Sequence, residues 1–124
     1  MIDYSKLNRI LGQLKRSGKI TPSIGLARAP EQFEVRGYTR HALIRAAQRG
    51  IPETQIISTA QKYVDTALVM FVQGKGRRRL YVSNSGNVAV FVDNALVATL
   101  YTKDFFDQEM HRIITEVMRC MRQL

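Results

Sequence analysis

Two stretches of the sequence hold the residues best suited to acid–base and phosphate chemistry. The first is Thr39 to Ile51, TRHALIRAAQRGI, in which His41 is followed by Arg45 and Arg49, with Arg40 beside it. In a helix this spacing puts His41, Arg45 and the Gln48/Arg49 pair along one side. An imidazole can give or take a proton near neutral pH, and guanidinium groups bind phosphate through paired N–H donors. Free backbone N–H groups at a helix start also favour an anion. His41 therefore suits general acid–base work on a phosphate ester, with Arg40 and Arg45 holding the phosphate. A histidine among arginines equally fits an ordinary solvated helix face.

The second stretch is strand-like. In RRRLYVSN, alternation puts Arg77, Arg79, Tyr81 and Ser83 on one face. In LVATLY it puts Val97, Thr99 and Tyr101 on one face and Leu96, Ala98 and Leu100 on the other. The wholly apolar set should pack on helices. Thr99 and Tyr101 are then expected on an open face, joined by Arg79, Tyr81 and Ser83 when the register allows. Such a face could grip phosphate and stack a base. The same residues also fit ordinary solvent-facing strand positions, because tyrosine and threonine favour strands.

Other chemistries find little support. Two histidines and one cysteine, with no ligand spacing between them, argue against a metal, and no motif calls for a cofactor. Asp93, Asp104, Asp107 and Glu109 are scattered, and His111 reads as a surface residue. Gly74-Lys75-Gly76 lacks the ending of a phosphate loop and precedes a strand, so it reads as a turn presenting Lys75 and Arg77.

The elements that must position these residues follow from periodicity. Tyr4, Leu7, Ile10, Leu11 and Leu14 mark an amphipathic helix stopped at Gly18. Lys19 to Gly37 has no period and reads as an ordered loop or linker. Thr39 caps a helix from Arg40 to Arg49, closed by Gly50, and Pro52-Glu53 restarts a helix to Lys62. Strands follow at 66–72, 77–84, 88–92 and 96–102, joined by turns at 73–76, 84–87 and 93–94. Asp104 should cap a last helix whose buried stripe is Met110, Ile113, Ile114, Val117, Met118 and Met121. The expected fold is α+β: amino-terminal helices packed on a four-stranded antiparallel meander, with a carboxy-terminal helix. Residues 1–37 read as an accessory helix and loop, and 38–124 as the core.

Composition bounds the partner. The chain has 124 residues and a net charge of +9. Residues 1–50 hold ten basic and three acidic residues, against nine and seven in 51–124. A basic excess of this kind suits a polyanion. No apolar run reaches the length of a membrane span, the first ten residues lack a signal-peptide core, and the single Cys120 cannot form an internal disulfide.

The segment Thr39-Arg40-His41-Ala42 through Arg49-Gly50-Ile51, the meander and the ending Thr99-Leu100-Tyr101 together resemble the barnase, EndoU, colicin and RelE-like superfamily of ribonuclease toxin domains. Such domains are cargo of polymorphic or contact-dependent inhibition toxins. The resemblance covers roughly residues 38–105. It implies metal-independent RNA cleavage, often of tRNA, by attack of the 2′-hydroxyl on the adjacent phosphorus to leave a 2′,3′-cyclic phosphate. It implies His41, Arg45, Thr99 and Tyr101 as catalytic residues, with Arg40, Arg49, Arg77, Arg79, Tyr81 and Ser83 binding substrate. It further implies action in the cytoplasm, delivery from another cell as toxin cargo, and an acidic immunity or antitoxin partner. Residues 1–37 and the last helix lie outside the pattern, and no second histidine or glutamate falls at a matching position. The alternatives are a non-catalytic RNA- or ribosome-binding module and a protein-interaction domain.

Overall fold

The computed structural model describes residues 2–26, 28–74, 78–92, 96–102 and 106–122. Helix α1 spans Tyr4–Arg16, where Asp3 caps the start by accepting the Lys6 N–H, and Lys15 and Arg16 suit the negative end of the helix dipole. Strand β1 is Gly37–Tyr38 and helix α2 is Arg40–Gln48. A 3-10 turn, Glu53–Gln55, leads into helix α3, Ile56–Asp65. Strands β2 (Ala67–Gln73), β3 (Arg78–Ser83), β4 (Val88–Val92) and β5 (Leu96–Tyr101) precede helix α4, Gln108–Arg122.

The sheet order is β1-β5-β4-β3-β2. The last four strands pair antiparallel in sequence order, and β1 adds a parallel edge by pairing Gly37 with Leu96 and Tyr38 with Val97. The fold is thus α+β with a mixed sheet. Helices cover both faces. On one, Leu7 and Leu11 of α1 and Ile113 and Val117 of α4 pack over Phe71, Leu80, Val82 and Val90. On the other, Ala42 and Ala46 of α2 and Ile56 and Ala60 of α3 pack over Met70, Tyr81, Ala89 and Phe91. The alanines let these two helices lie close to the sheet, and burial of each large apolar side chain contributes about 1.5–3 kcal/mol.

Two sequence expectations change here. Residues 1–37, expected as an accessory, supply Ile2, Leu7, Leu11, Ile20 and Ile24 to one core layer and Val35 to the other. The segment after α1 runs along the outer edge of β2, where Arg28 and Met70 exchange backbone hydrogen bonds of 3.3 and 3.0 Å. It then crosses the sheet as a strap. Gln61 of α3 holds the strap on both sides, accepting the Val35 N–H at 2.8 Å and donating to the Phe33 carbonyl at 3.0 Å. Its aperiodic sequence reflects a path that follows two different elements in turn.

The second change concerns the open face. Val90 pairs with Thr99, but Phe91 pairs with Val97, so β5 carries one extra residue at Ala98. This bulge shifts the alternation, and Val97 joins Leu100 in the α2/α3 layer. Thr99 lies opposite Val90 and Tyr101 opposite Val88, both residues of the α1/α4 layer. Arg79 and Tyr81 lie opposite Phe91 and Ala89 of the α2/α3 layer. The two sets expected to share one open face therefore sit on opposite faces, each covered. The expected cap Asp104, the 93–94 turn, Lys75 and Arg77 lie outside the described residues. Asp107 is the residue whose carboxylate accepts the Met110 N–H at the start of α4, at 2.7 Å.

Candidate functional site

Thr39 fixes the start of α2 twice. Its hydroxyl accepts the Ala42 N–H at 3.1 Å, and its own N–H donates to the Val97 carbonyl at 2.9 Å. The first bond is a helix cap and the second ties that cap to β5. From there α2 runs alongside β5. It ends at Gly50, whose φ of 73° suits a residue without Cβ and lets Ile51 N–H return to the Ala46 carbonyl at 2.8 Å.

At the far end of α2, Arg49 reaches the outer edge of β5. One guanidinium nitrogen donates to Thr99 Oγ1 at 2.6 Å and to the Leu100 carbonyl at 2.8 Å. The guanidinium carbon lies 4.3 Å from the centre of the Tyr101 ring, a cation–π distance. Because β1 pairs only with Leu96 and Val97, the Arg49 side chain meets β5 beyond the end of β1. Thr99 is 1% exposed, so its hydroxyl acts as an anchor for the arginine. Tyr101 remains half-buried, also in contact with Phe106.

His41 and Arg45 are exposed on the same flank of α2, about two turns and one turn before Arg49 respectively. Arg45 donates to Gln48 Oε1 at 3.0 Å. Arg40 is exposed at the first helical position. From Val35 to Pro52 the chain has four arginines and no carboxylate, so the charge that α2 itself contributes is positive. The structure thus brings Arg49, Thr99 and Tyr101 into contact and lines up His41 and Arg45 along the approach to them.

The remaining predicted residues belong elsewhere. Tyr81 is buried and its hydroxyl donates to the Glu31 carbonyl at 3.0 Å, while burial pushes its pKa up. Ser83 is buried in the hairpin, where its hydroxyl shares a hydrogen bond with Ser85 and accepts the Asn87 N–H. Arg79 lies 5.6 Å over the ring of Phe33. Phe33 is the residue that sequence reasoning missed. Its ring meets Tyr81 and Phe91 edge-on at 5.4 and 4.9 Å and pins the strap to the sheet. A lone aromatic in an aperiodic stretch carries no signal that could have announced this.

Among the described residues no group of histidine, cysteine, aspartate and glutamate is arranged to hold a metal ion, and no helix is long and apolar enough to cross a membrane. Cys120 is buried, and that burial pushes its thiol pKa up, which suits a core residue and not a nucleophile. No family model, curated protein or solved structure matches the chain.

Proposed function

We propose that this domain is a metal-independent endoribonuclease with α2 and the outer edge of β5 as its substrate surface. The observation that carries the proposal is Arg49. It is a guanidinium fixed by Thr99, Leu100 and Tyr101 at the end of a flank that also presents His41 and Arg45. A fixed positive charge of this kind suits the charge that develops on phosphate oxygens during in-line attack. In this assignment the RNA backbone lies along α2. The 2′-hydroxyl attacks the adjacent phosphorus, the 5′-oxygen leaves, and a 2′,3′-cyclic phosphate remains. His41 transfers one of the two protons, and the Tyr101 hydroxyl, whose ring lies against Arg49, is assigned the other. Arg45 binds phosphate, and Thr99 is a positioning residue acting through Arg49. The resemblance to ribonuclease toxins supports the same assignment, with tRNA as substrate and an acidic immunity protein that covers this basic flank.

The test is incubation of the purified protein with total tRNA in the presence of EDTA, with analysis of the product ends. Cleavage should proceed, leave 2′,3′-cyclic ends, and fall about 10²–10⁴-fold in His41→Ala and about 10²–10³-fold in Arg49→Ala. Arg49→Lys should recover little, because lysine keeps the charge and loses the planar fork. Arg45→Ala should lower cleavage more than it weakens tRNA binding. Binding without cleavage in the wild type would replace this assignment with a non-catalytic RNA-binding module on the same flank.

A further inference from the structure

Two hollows open where the start of α4 meets the turn between β3 and β4. They measure about 390 and 350 Å³ and share Phe106 and His111. In the larger, Phe106, Ile114 and Met118 form an apolar wall, and Ser85, His111 and Thr115 add exposed polar groups. Gly86 belongs to the same hollow, where a Cβ would project toward Ile114 and Met118 at 3.7 and 4.0 Å. In the smaller, Asp107, Gln108 and Arg112 join the two shared residues.

The charges here balance. The Asp107 carboxylate accepts the Met110 N–H, and Arg112 donates to the Lys19 carbonyl at 2.9 Å, which leaves one charge of each sign. The Thr115 hydroxyl donates to the His111 carbonyl at 2.7 Å, and the Ser85 hydroxyl bonds within its own turn. Among the described residues, the imidazole of His111 and the amide of Gln108 have no hydrogen-bond partner. Each can both donate and accept.

Tyr101 joins these hollows to the edge of β5. Its ring centre lies 4.3 Å from the Arg49 guanidinium carbon and 6.3 Å from the Phe106 ring, which is tilted at 52° to it. Tyr101 pairs with Val88, just after the turn that carries Ser85 and Gly86, so edge and hollows lie at one end of the sheet. A phosphate held beside Arg49 is thus separated from Phe106 by one aromatic ring.

We infer that these hollows are a nucleobase subsite, in which an unpaired base stacks on Phe106 and hydrogen-bonds to His111 and Gln108. The inference rests on the phosphate surface proposed above, and not on cleavage. A base covers the apolar wall with its flat face and pairs its polar edge, as bases of single strands do on proteins. An apolar side chain from a protein partner would cover the same wall but leave the imidazole and the amide unpaired. A lone phosphate would face the Asp107 carboxylate.

The chain has two histidines, His41 and His111, so two sets of imidazole C–H signals in an NMR spectrum report on the phosphate and base positions separately. The His111→Ala spectrum assigns them. The probes are adenosine, guanosine, cytidine and uridine, their 3′-monophosphates, and inorganic phosphate. At least one nucleoside should move the His111 signals alone, and its 3′-monophosphate should move both sets and bind about tenfold more tightly. Phe106→Leu, which keeps an apolar side chain, should weaken that nucleoside about tenfold, and Gln108→Ala, at an exposed position, about fivefold. Silent His111 signals with every nucleoside and nucleotide overturn the inference, as does unchanged binding in both variants. An equal shift with inorganic phosphate also overturns it, because the hollow is then an anion site. If nucleosides bind at His111 while tRNA is never cleaved, the ribonuclease assignment fails and the base subsite stands. Cleavage of tRNA with no nucleoside or nucleotide bound at His111 gives the reverse.

Discussion

Tyr81 shows how a residue type can be right for one role and placed in another. A tyrosine on an arginine-rich strand is suited to stack a base, but this ring is buried between Phe33 and Phe91 and its hydroxyl serves the strap through the Glu31 carbonyl. The placement has a consequence for alkaline stability. Burial raises the pKa of Tyr81, and of Tyr63, above the unfolded value near 10. Below that value both states hold the proton and pH has no effect through these groups. Above it the unfolded chain ionises first, so stability declines as pH rises from about 10 toward the folded pKa values. Denaturant titrations at neutral and strongly alkaline pH should show this decline. Tyr81→Phe should be less stable by about 1 kcal/mol at neutral pH, from the lost hydrogen bond, and should show a shallower alkaline decline. An equal decline in the variant would locate the effect in other groups.

At the scale of elements, the helices and strands were legible because each carries its own period. Tyr4 to Leu14 and Met110 to Met121 repeat at helical spacing, and the strands alternate between short turns. The bulge at Ala98 was not legible, since an inserted alanine between Val97 and Thr99 leaves the local alternation looking regular. That single residue decides which face Val97 joins, and with it the makeup of the site. Helix α2 shows the mixed case: His41, Arg45 and Arg49 could be lined up from spacing, but the hold of Arg49 on Thr99 depends on a contact fifty residues away. The path of residues 19–36 was equally hidden, because it is set by partners on β2 and α3. Gly25 is the tightest point of that path. A Cβ there would lie 2.2 Å from Val72 Cγ2 and 3.1 Å from the Val72 carbonyl. Val72 is branched and held in a strand, so Gly25→Ala should lift the segment from the β2 edge and cost about 1–3 kcal/mol. Equilibrium unfolding would measure the loss, and faster amide exchange at Arg28 and Met70 would place it at this edge.

For the whole molecule, the two apolar layers make the amino-terminal third part of the fold. Removal of residues 1–37 would uncover Phe71, Leu80, Val82 and Val90 on one face and strip Phe33 and Val35 from the other. A fragment of residues 38–124 should therefore lack a cooperative thermal transition and bind a hydrophobic dye, whereas the intact chain should melt in one step. A folded, monomeric fragment would restore the division into accessory and core. The same view of the molecule gives Arg49 a duty unrelated to phosphate. A strand edge left uncovered offers its carbonyls as a template for another chain, and sheets avoid this by placing charge on the edge. With its guanidinium seated on the Leu100 carbonyl, Arg49 closes the stretch of β5 that β1 is too short to reach, and so guards the protein against joining itself edge to edge.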